Sequence, residues 1–218
     1  MLDFKKEFID FSLKKKALNF GKFTLKSGRK SPYFFNTSSF YTGNDIEKLA
    51  YFYYCAIIKY KLKFNHLFGL AYKGVPLIVA ISIFLKKKKK IDVSFSFNRK
   101  EQKLYGECGY IVGKKKNNKE KTILIDDVIT SGSSIKKSIQ KLKNNNILAT
   151  IVAFDRKEID DNNALKKKKI RDQFSFPIYS IITIKDLIKF IIEEKKMLIY
   201  LDQLINYNIL CGTEKINI

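Results

Sequence analysis

The chain reads as a single α/β domain, a parallel sheet flanked by helices, preceded by a small N-terminal extension. Two observations predict this. Its 218 residues are 45% hydrophobic, and a domain of this length buries roughly 70% of its unfolded surface. From residue 45 onward, short β-branched or aromatic runs alternate with longer stretches of helical character, the pattern of a parallel sheet covered on both faces. No internal repeat is visible.

The elements follow in order. Phe4, Phe8 and Phe11 recur at helical spacing, so residues 4–18 predict an amphipathic helix. Residues 22–43 alternate apolar and polar positions and are broken by Ser27-Gly28 and Ser31-Pro32, which predicts short strands or a hairpin. Asp45 to Tyr60 predicts a helix with Asn44 as its N-cap. Leu67–Tyr72 then reads as a strand, Val75–Leu85 as a buried helix and Val93–Phe97 as a strand. Arg99 to Asn118 is polar, rich in Lys and Gly, and without periodicity. Thr122–Ile125, Leu148–Phe154 and Ile178–Thr183 predict strands; Ser134–Leu142, Lys185–Glu194 and Met197–Tyr207 predict helices.

Composition excludes several classes. Apolar content this high argues against intrinsic disorder. The best membrane candidate, Val75 to Leu85, is short and runs into Lys86–Lys90. Asp3, Glu7 and Asp10 among the first hydrophobics fit neither a secretory nor an organellar leader. Cys55, Cys108 and Cys211 have no metal-ligand spacing and His66 is the one histidine, so neither zinc nor a disulfide framework is expected and a reducing cytoplasm is. The formal net charge of +22 admits two readings, a nucleic-acid footprint or solvated lysines. The lysine runs are scattered and not interleaved with aromatics, which favours the second. Only four of 43 basic residues are arginine (Arg29, Arg99, Arg156 and Arg171), so an arginine marks a place that needs a planar, bidentate fork.

In open α/β sheets, ligands bind beyond the carboxyl ends of the strands. That rule points to Asp126-Asp127-Val128-Ile129-Thr130-Ser131-Gly132-Ser133-Ser134, directly after the strand Thr122–Ile125. Two adjacent carboxylates end the strand, and a short loop of small hydroxylic residues and one glycine opens a helix. Backbone amides and hydroxyls at a helix N-terminus suit a phosphate. The adjacent carboxylates suit vicinal sugar hydroxyls, or a cation that accompanies the ligand. Together they describe a ribose 5-phosphate site.

The stretch TILIDDVITSGSS (Thr122–Ser134) resembles the phosphoribosyl-pyrophosphate motif of the type I phosphoribosyltransferases. FTLKSGRKSPYFFN (Phe23–Asn36), FGLAYKGVPL (Phe68–Leu77) and FNRKEQKLYGECG (Phe97–Gly109) narrow the resemblance to the orotate phosphoribosyltransferases. Order and spacing match along nearly the whole chain. The resemblance implies one type I phosphoribosyltransferase domain over 1–218, with hood elements at about 1–43. It also implies a mobile loop at about 99–118 that closes over the partner's site in a homodimer. The implied reaction transfers ribose 5-phosphate from phosphoribosyl pyrophosphate to orotate, giving orotidine 5′-phosphate and pyrophosphate in pyrimidine (UMP) biosynthesis. Mg²⁺ would be held mainly by the substrate, with no direct protein ligand set, and neither nucleic acid nor membrane would be a partner.

Residue roles carry over by the same resemblance. Lys73, Arg99, Lys100, Lys103, Asp126 and Asp127 are the implied catalytic residues. Lys26, Tyr72, Tyr105, Val128, Ile129, Thr130, Ser131, Gly132, Ser133 and Ser134 join them in binding phosphoribosyl pyrophosphate. Lys26, Phe34, Phe35, Thr130 and Arg156 are implied for orotate. Two positions depart from the family pattern: Tyr105 stands where a histidine is usual, and Cys108 where a glycine is. Two other readings remain, a phosphoribosyltransferase for another base and an RNA-binding regulator on the same fold. The KSGRKSPYFF stretch argues against the first, and a regulator would not need Arg99, Lys100, Lys103 and Arg156 together.

Overall fold

The first helix, α1 (Asp3–Lys14), opens on an acid and closes on a base, each suited to its end of the helix dipole, and buries Phe8, Ile9 and Phe11. An antiparallel pair follows, β1 (Leu18–Thr24) with β2 (Lys30–Phe35). Along β2 the side chains alternate, so Tyr33 and Phe35 are buried while Phe34 between them is exposed. This hairpin and α1 form the N-terminal hood. In α2 (Gly43–Lys59) the cap is Thr42, not Asn44: the Thr42 hydroxyl accepts from Asp45 N at 3.2 Å, and the helix starts a residue before Asn44. The computed structural model describes residues 3–25, 27–103, 105, 109–114, 120–130, 132–142, 146–159 and 174–213, with backbone alone at 102, 103, 133, 134, 137 and 141.

The remaining elements are β3 (His66–Gly69), α3 (Gly74–Lys89), β4 (Ser94–Lys103), β5 (Gly109–Gly113), β6 (Thr122–Ile129), α4 (Ser133–Lys141), β7 (Ile147–Asp155), β8 (Ile178–Thr183), α5 (Ile184–Glu194) and α6 (Leu201–Cys211). The main sheet has the order β5-β4-β3-β6-β7-β8 and is parallel except for β5 at one edge. Alternation along the central strands divides the core. Leu67, Ile123, Ile125, Ile151 and Ala153 face the larger cluster with α1, α2, α3 and α5. Phe68, Leu124 and Val152, on the other face, pack with Ile135 and Leu142 around α4. No helix among the described residues is long and apolar enough to cross a membrane.

Several elements run longer than the sequence pattern predicts. β3 is shorter, ending at Gly69 rather than Tyr72. β6 does not stop at Ile125 but carries Asp126, Asp127, Val128 and Ile129 in register with β7 up to Ile129↔Asp155. Carboxylates are poor strand formers, yet pairing to β7 holds them extended. Arg99, Lys100 and Lys103 belong to β4, not to a structureless loop, and β5 pairs back on it from Lys103↔Gly109 to Ser96↔Gly113. Charged residues are tolerated at a solvated sheet edge, which hides the strand from a periodicity argument. Of the segment expected as a mobile loop, residues 104, 106–108 and 115–118 lie outside the described residues. α3 continues through Lys86–Lys89, cations that suit its C-terminal dipole.

Candidate active site

Because β3, β4, β6 and β7 run in one direction, their carboxyl ends gather at one edge of the sheet. The turn after β3 is set by two glycines. A Cβ on Gly74 would lie 2.5 Å from Ile125 O, and one on Gly69 would lie 2.6 Å from Gly74 O. Only glycine lets α3 begin this close to the backbone of β6. Leu70 N then donates to Ile125 O at 3.0 Å, and Gly74 N to Leu70 O at 2.8 Å. Lys73 is thereby held at the edge.

The Lys73 ammonium donates to Asn36 Oδ1 at 3.2 Å and to Ser38 Oγ. Between these two acceptors, Thr37 Oγ1 donates to Asp127 Oδ2 at 3.0 Å. One short turn thus joins the cation after β3 to the carboxylates at the end of β6. Asn36 Oδ1 also accepts from Ser38 N at 3.0 Å, which fixes the turn. Asp126 Oδ1 accepts from Asp127 N at 2.9 Å, and Asp127 Oδ1 from Val128 N at 2.8 Å. Burial, and then the neighbouring Asp127 charge, push the Asp126 carboxyl well above the usual carboxylate range. Beneath the pair, Tyr53 donates to Asp126 O at 2.7 Å.

Thr130 is exposed beyond β6, and Gly132 takes φ +96° as the N-cap of α4. Glycine at that cap offers no side-chain acceptor, so the first-turn amides and the positive end of the dipole are left for a ligand. On the other side of Lys73, β4 continues past Phe97, the partner of Gly69 at the end of β3. This overhang carries Arg99 and Lys100 and lines a cavity of about 310 Å³ with Ala71, Tyr72, Val75 and Asn98. Lys100 Nζ lies 4.0 Å from the centroid of the exposed Tyr72 ring. Asn98 Oδ1 accepts from Ala71 N at 3.0 Å and ties the overhang to the turn after β3.

The hood closes the third side. Arg156 N donates to Ile129 O at 2.9 Å, so Arg156 and Thr130 sit at neighbouring strand ends. Phe34 is exposed and stacks on Phe23 at 5.5 Å, whereas Phe35 is 4% exposed and packs edge-on against Phe154. Of the two rings implied for orotate, Phe34 alone is open to this edge. Phe35 is core, because β2 alternation turns it inward.

Lys73, Asp126, Asp127, Thr130, Gly132, Arg99, Lys100, Tyr72 and Arg156 thus share one sheet edge. Val128 and Ile129 sit within β6, with Ile129 in the core. Tyr105 is 80% exposed. Lys26, Ser131 and Cys108 lie outside the described residues, as do the side chains of Lys103, Ser133 and Ser134. Sequence reasoning missed Asn36, Thr37, Ser38 and Asn98. The first three follow the hairpin as a run of turn-forming polar residues, and that run was the available signal.

Comparison with known proteins accords with this geometry. Residues 38–193 match the model of the phosphoribosyl transferase domain. The orotate phosphoribosyltransferase of Buchnera aphidicola subsp. Acyrthosiphon pisum (strain Tuc7) is 49% identical over 209 residues, covering 94% of this chain and 97% of the relative. The chain belongs to the orotate phosphoribosyltransferase family. The Vibrio cholerae relative of that name is 37% identical over 196 residues, 89% of this chain and 91% of its own. The crystal structure of orotate phosphoribosyltransferase from Francisella tularensis superposes with a TM-score of 0.81 at 38% identity, covering 95% of this chain and 100% of that one. This family member is a transferase of pyrimidine biosynthesis with the type I phosphoribosyltransferase fold.

Proposed function

We propose that the chain transfers ribose 5-phosphate from phosphoribosyl pyrophosphate to orotate at this sheet edge. The observation that carries the reading is the Asn36–Ser38 turn, which joins Lys73 to Asp127 and so brings an ammonium beside a carboxylate pair, groups suited to a pyrophosphate and to sugar hydroxyls. The first-turn amides of α4 and Thr130 receive the 5′-phosphate. Asp126 and Asp127 take the ribose hydroxyls. Lys73 and Lys100, together with Arg99 and Lys103 supplied on the arm of the partner subunit, offset charge that builds on the departing pyrophosphate in an oxocarbenium-like transition state. Tyr72 lines the pyrophosphate turn, while Lys26, Phe34, Thr130 and Arg156 bind and orient orotate.

The donor set fits Mg²⁺, which prefers oxygen ligands and keeps several waters. Asp126 and Asp127 supply oxygens, but each carboxylate already accepts a main-chain N–H, so the pair suits an ion held mainly by the substrate. When bound, Mg²⁺ neutralises pyrophosphate charge. The β4–β5 arm and the residues beyond it close over the site of the partner subunit in a homodimer and exclude water. The protein works in the cytoplasm on small anions, which its excess of lysine helps to steer.

The acceptor is tested by pyrophosphate release with phosphoribosyl pyrophosphate, Mg²⁺ and one of three bases. Release with orotate, and none above background with adenine or uracil, is expected. Release with adenine alone would assign the chain to another base. The arm is tested at Tyr105, which donates a hydrogen bond but carries no charge near neutral pH. Tyr105→His is expected to raise kcat/KM by about threefold at pH 6, and an unchanged or lower value would remove Tyr105 from pyrophosphate stabilisation.

A further inference from the structure

We infer that Glu158, Tyr207 and Arg29 are positioning residues that hold the Arg156 guanidinium ready for the acceptor's carboxylate, so that the C-terminal helix takes part in orotate recognition. This rests on the assignment of Arg156 to orotate.

Arg156 is 3% exposed and Glu158 4%. Arg156 Nε donates to Glu158 Oε1 at 2.7 Å, and Nη2 donates to Ser31 Oγ at 2.8 Å and to Tyr207 Oη at 3.4 Å. The guanidinium carbon lies 4.1 Å from the centroid of the Tyr33 ring. One face and two edges are therefore fixed, and Nη1 has no partner among the described residues. Tyr207 donates to Glu158 Oε1 at 2.8 Å. Burial, and then the Glu158 carboxylate, push the Tyr207 hydroxyl up, so it stays a donor.

Arg29, for which the sequence offers no role, completes the unit from the hood. Its Nη1 donates to Glu158 Oε2 at 3.4 Å and its Nη2 to Ile159 O at 2.9 Å. Two guanidinium groups then face one carboxylate, a net single positive charge that a bound carboxylate balances. The segment carrying Glu158 is stitched to the end of α6, with Ile159 N donating to Cys211 O at 2.9 Å and Thr213 N to Lys157 O at 2.7 Å. The structure thus orients Arg156 through Glu158, two residues along, and not through the adjacent Asp155, whose carboxylate accepts from Lys157 N at 2.9 Å.

The test measures kcat and both substrate KM values on the full chain for Arg156→Lys, Glu158→Gln and Tyr207→Phe. Glu158→Gln keeps the shape but removes the charge, and is expected to raise the orotate KM roughly tenfold. Tyr207→Phe is expected to raise it about threefold. The KM for phosphoribosyl pyrophosphate should stay within about twofold in both. Combined with Arg156→Lys, Glu158→Gln should add little, since the two changes act through one group. If Arg156→Lys raises the orotate KM and Glu158→Gln does not, the positioning role is overturned while Arg156 keeps its assignment. If Arg156→Lys leaves the orotate KM unchanged, both fall. If both KM values rise together with a lower Tm, Glu158 is structural only and the inference is overturned. Should Glu158→Gln fail to fold, the KM split in Tyr207→Phe decides by the same criterion.

Discussion

Gly74→Ala is expected to cut kcat/KM by at least about 100-fold and to lower the Tm by roughly 3–10 °C. The added Cβ would stand 2.5 Å from Ile125 O and 3.0 Å from Gly69 C, both backbone atoms. No side chain can rotate away, so the start of α3 must shift, and with it Lys73. A displacement on that scale is enough to lose most of the advantage of a positioned group. Gly43→Ala is the control: nothing lies within 4 Å of its Cβ position, and as the first residue of α2 it should alter neither quantity appreciably. Steady-state kinetics and thermal melts of the two variants decide. Wild-type values for Gly74→Ala would refute the close contact between the turn and β6.

Asp126→Asn is expected to lower kcat/KM about tenfold or more while making the protein more stable at neutral pH. The sign follows from proton linkage. Burial and Asp127 raise the Asp126 carboxyl above its ordinary value of 3.8 in the folded state. Native protein therefore holds the proton more tightly than unfolded chain does. Stability is full below the unfolded value and declines as pH rises toward the folded one. Asparagine has no such penalty, so its advantage in Tm should be present at pH 7 and shrink toward pH 4. Melts of both proteins across that range test this. A variant less stable than wild type at pH 7, or an advantage that grows in acid, would count against Asp126 as the strained group. The trade is characteristic of a functional site, where stability is given up for charge in the right place.

Much of this was legible in the sequence because the core strands follow hydrophobic alternation. Leu67, Ile123 to Ile125 and Ala149 to Phe154 lie where the apolar runs place them, and the Thr122–Ser134 stretch leads to the predicted sheet edge. What a local stretch of sequence does not show depends on long-range pairing. Asp126 to Ile129 remain strand because β7 lies beside them, and β4 runs on to Lys103 because β5 pairs Asn98 and Lys103 on either side of an irregular stretch, Arg99–Gln102. Neither partner is visible in a local window. The same holds for side chains: Phe34 and Phe35 look equivalent in sequence, and only the direction of β2 separates the exposed ring from the core one. Thr37 meets Asp127 across 90 positions, and Ser31 meets Arg156 across 125. Lysine abundance is the least informative feature, since the proposed site calls on few of the 43 basic residues.

The most direct test of the central claim, a cation and carboxylate site that joins orotate to phosphoribosyl pyrophosphate, follows the orotate absorbance band. Protein, orotate, phosphoribosyl pyrophosphate and Mg²⁺ together should bleach the band, and omission of any one component should leave it unchanged. A band that persists with all four present, with salt-sensitive RNA binding by the same preparation, would contradict the account and favour a regulator built on this fold.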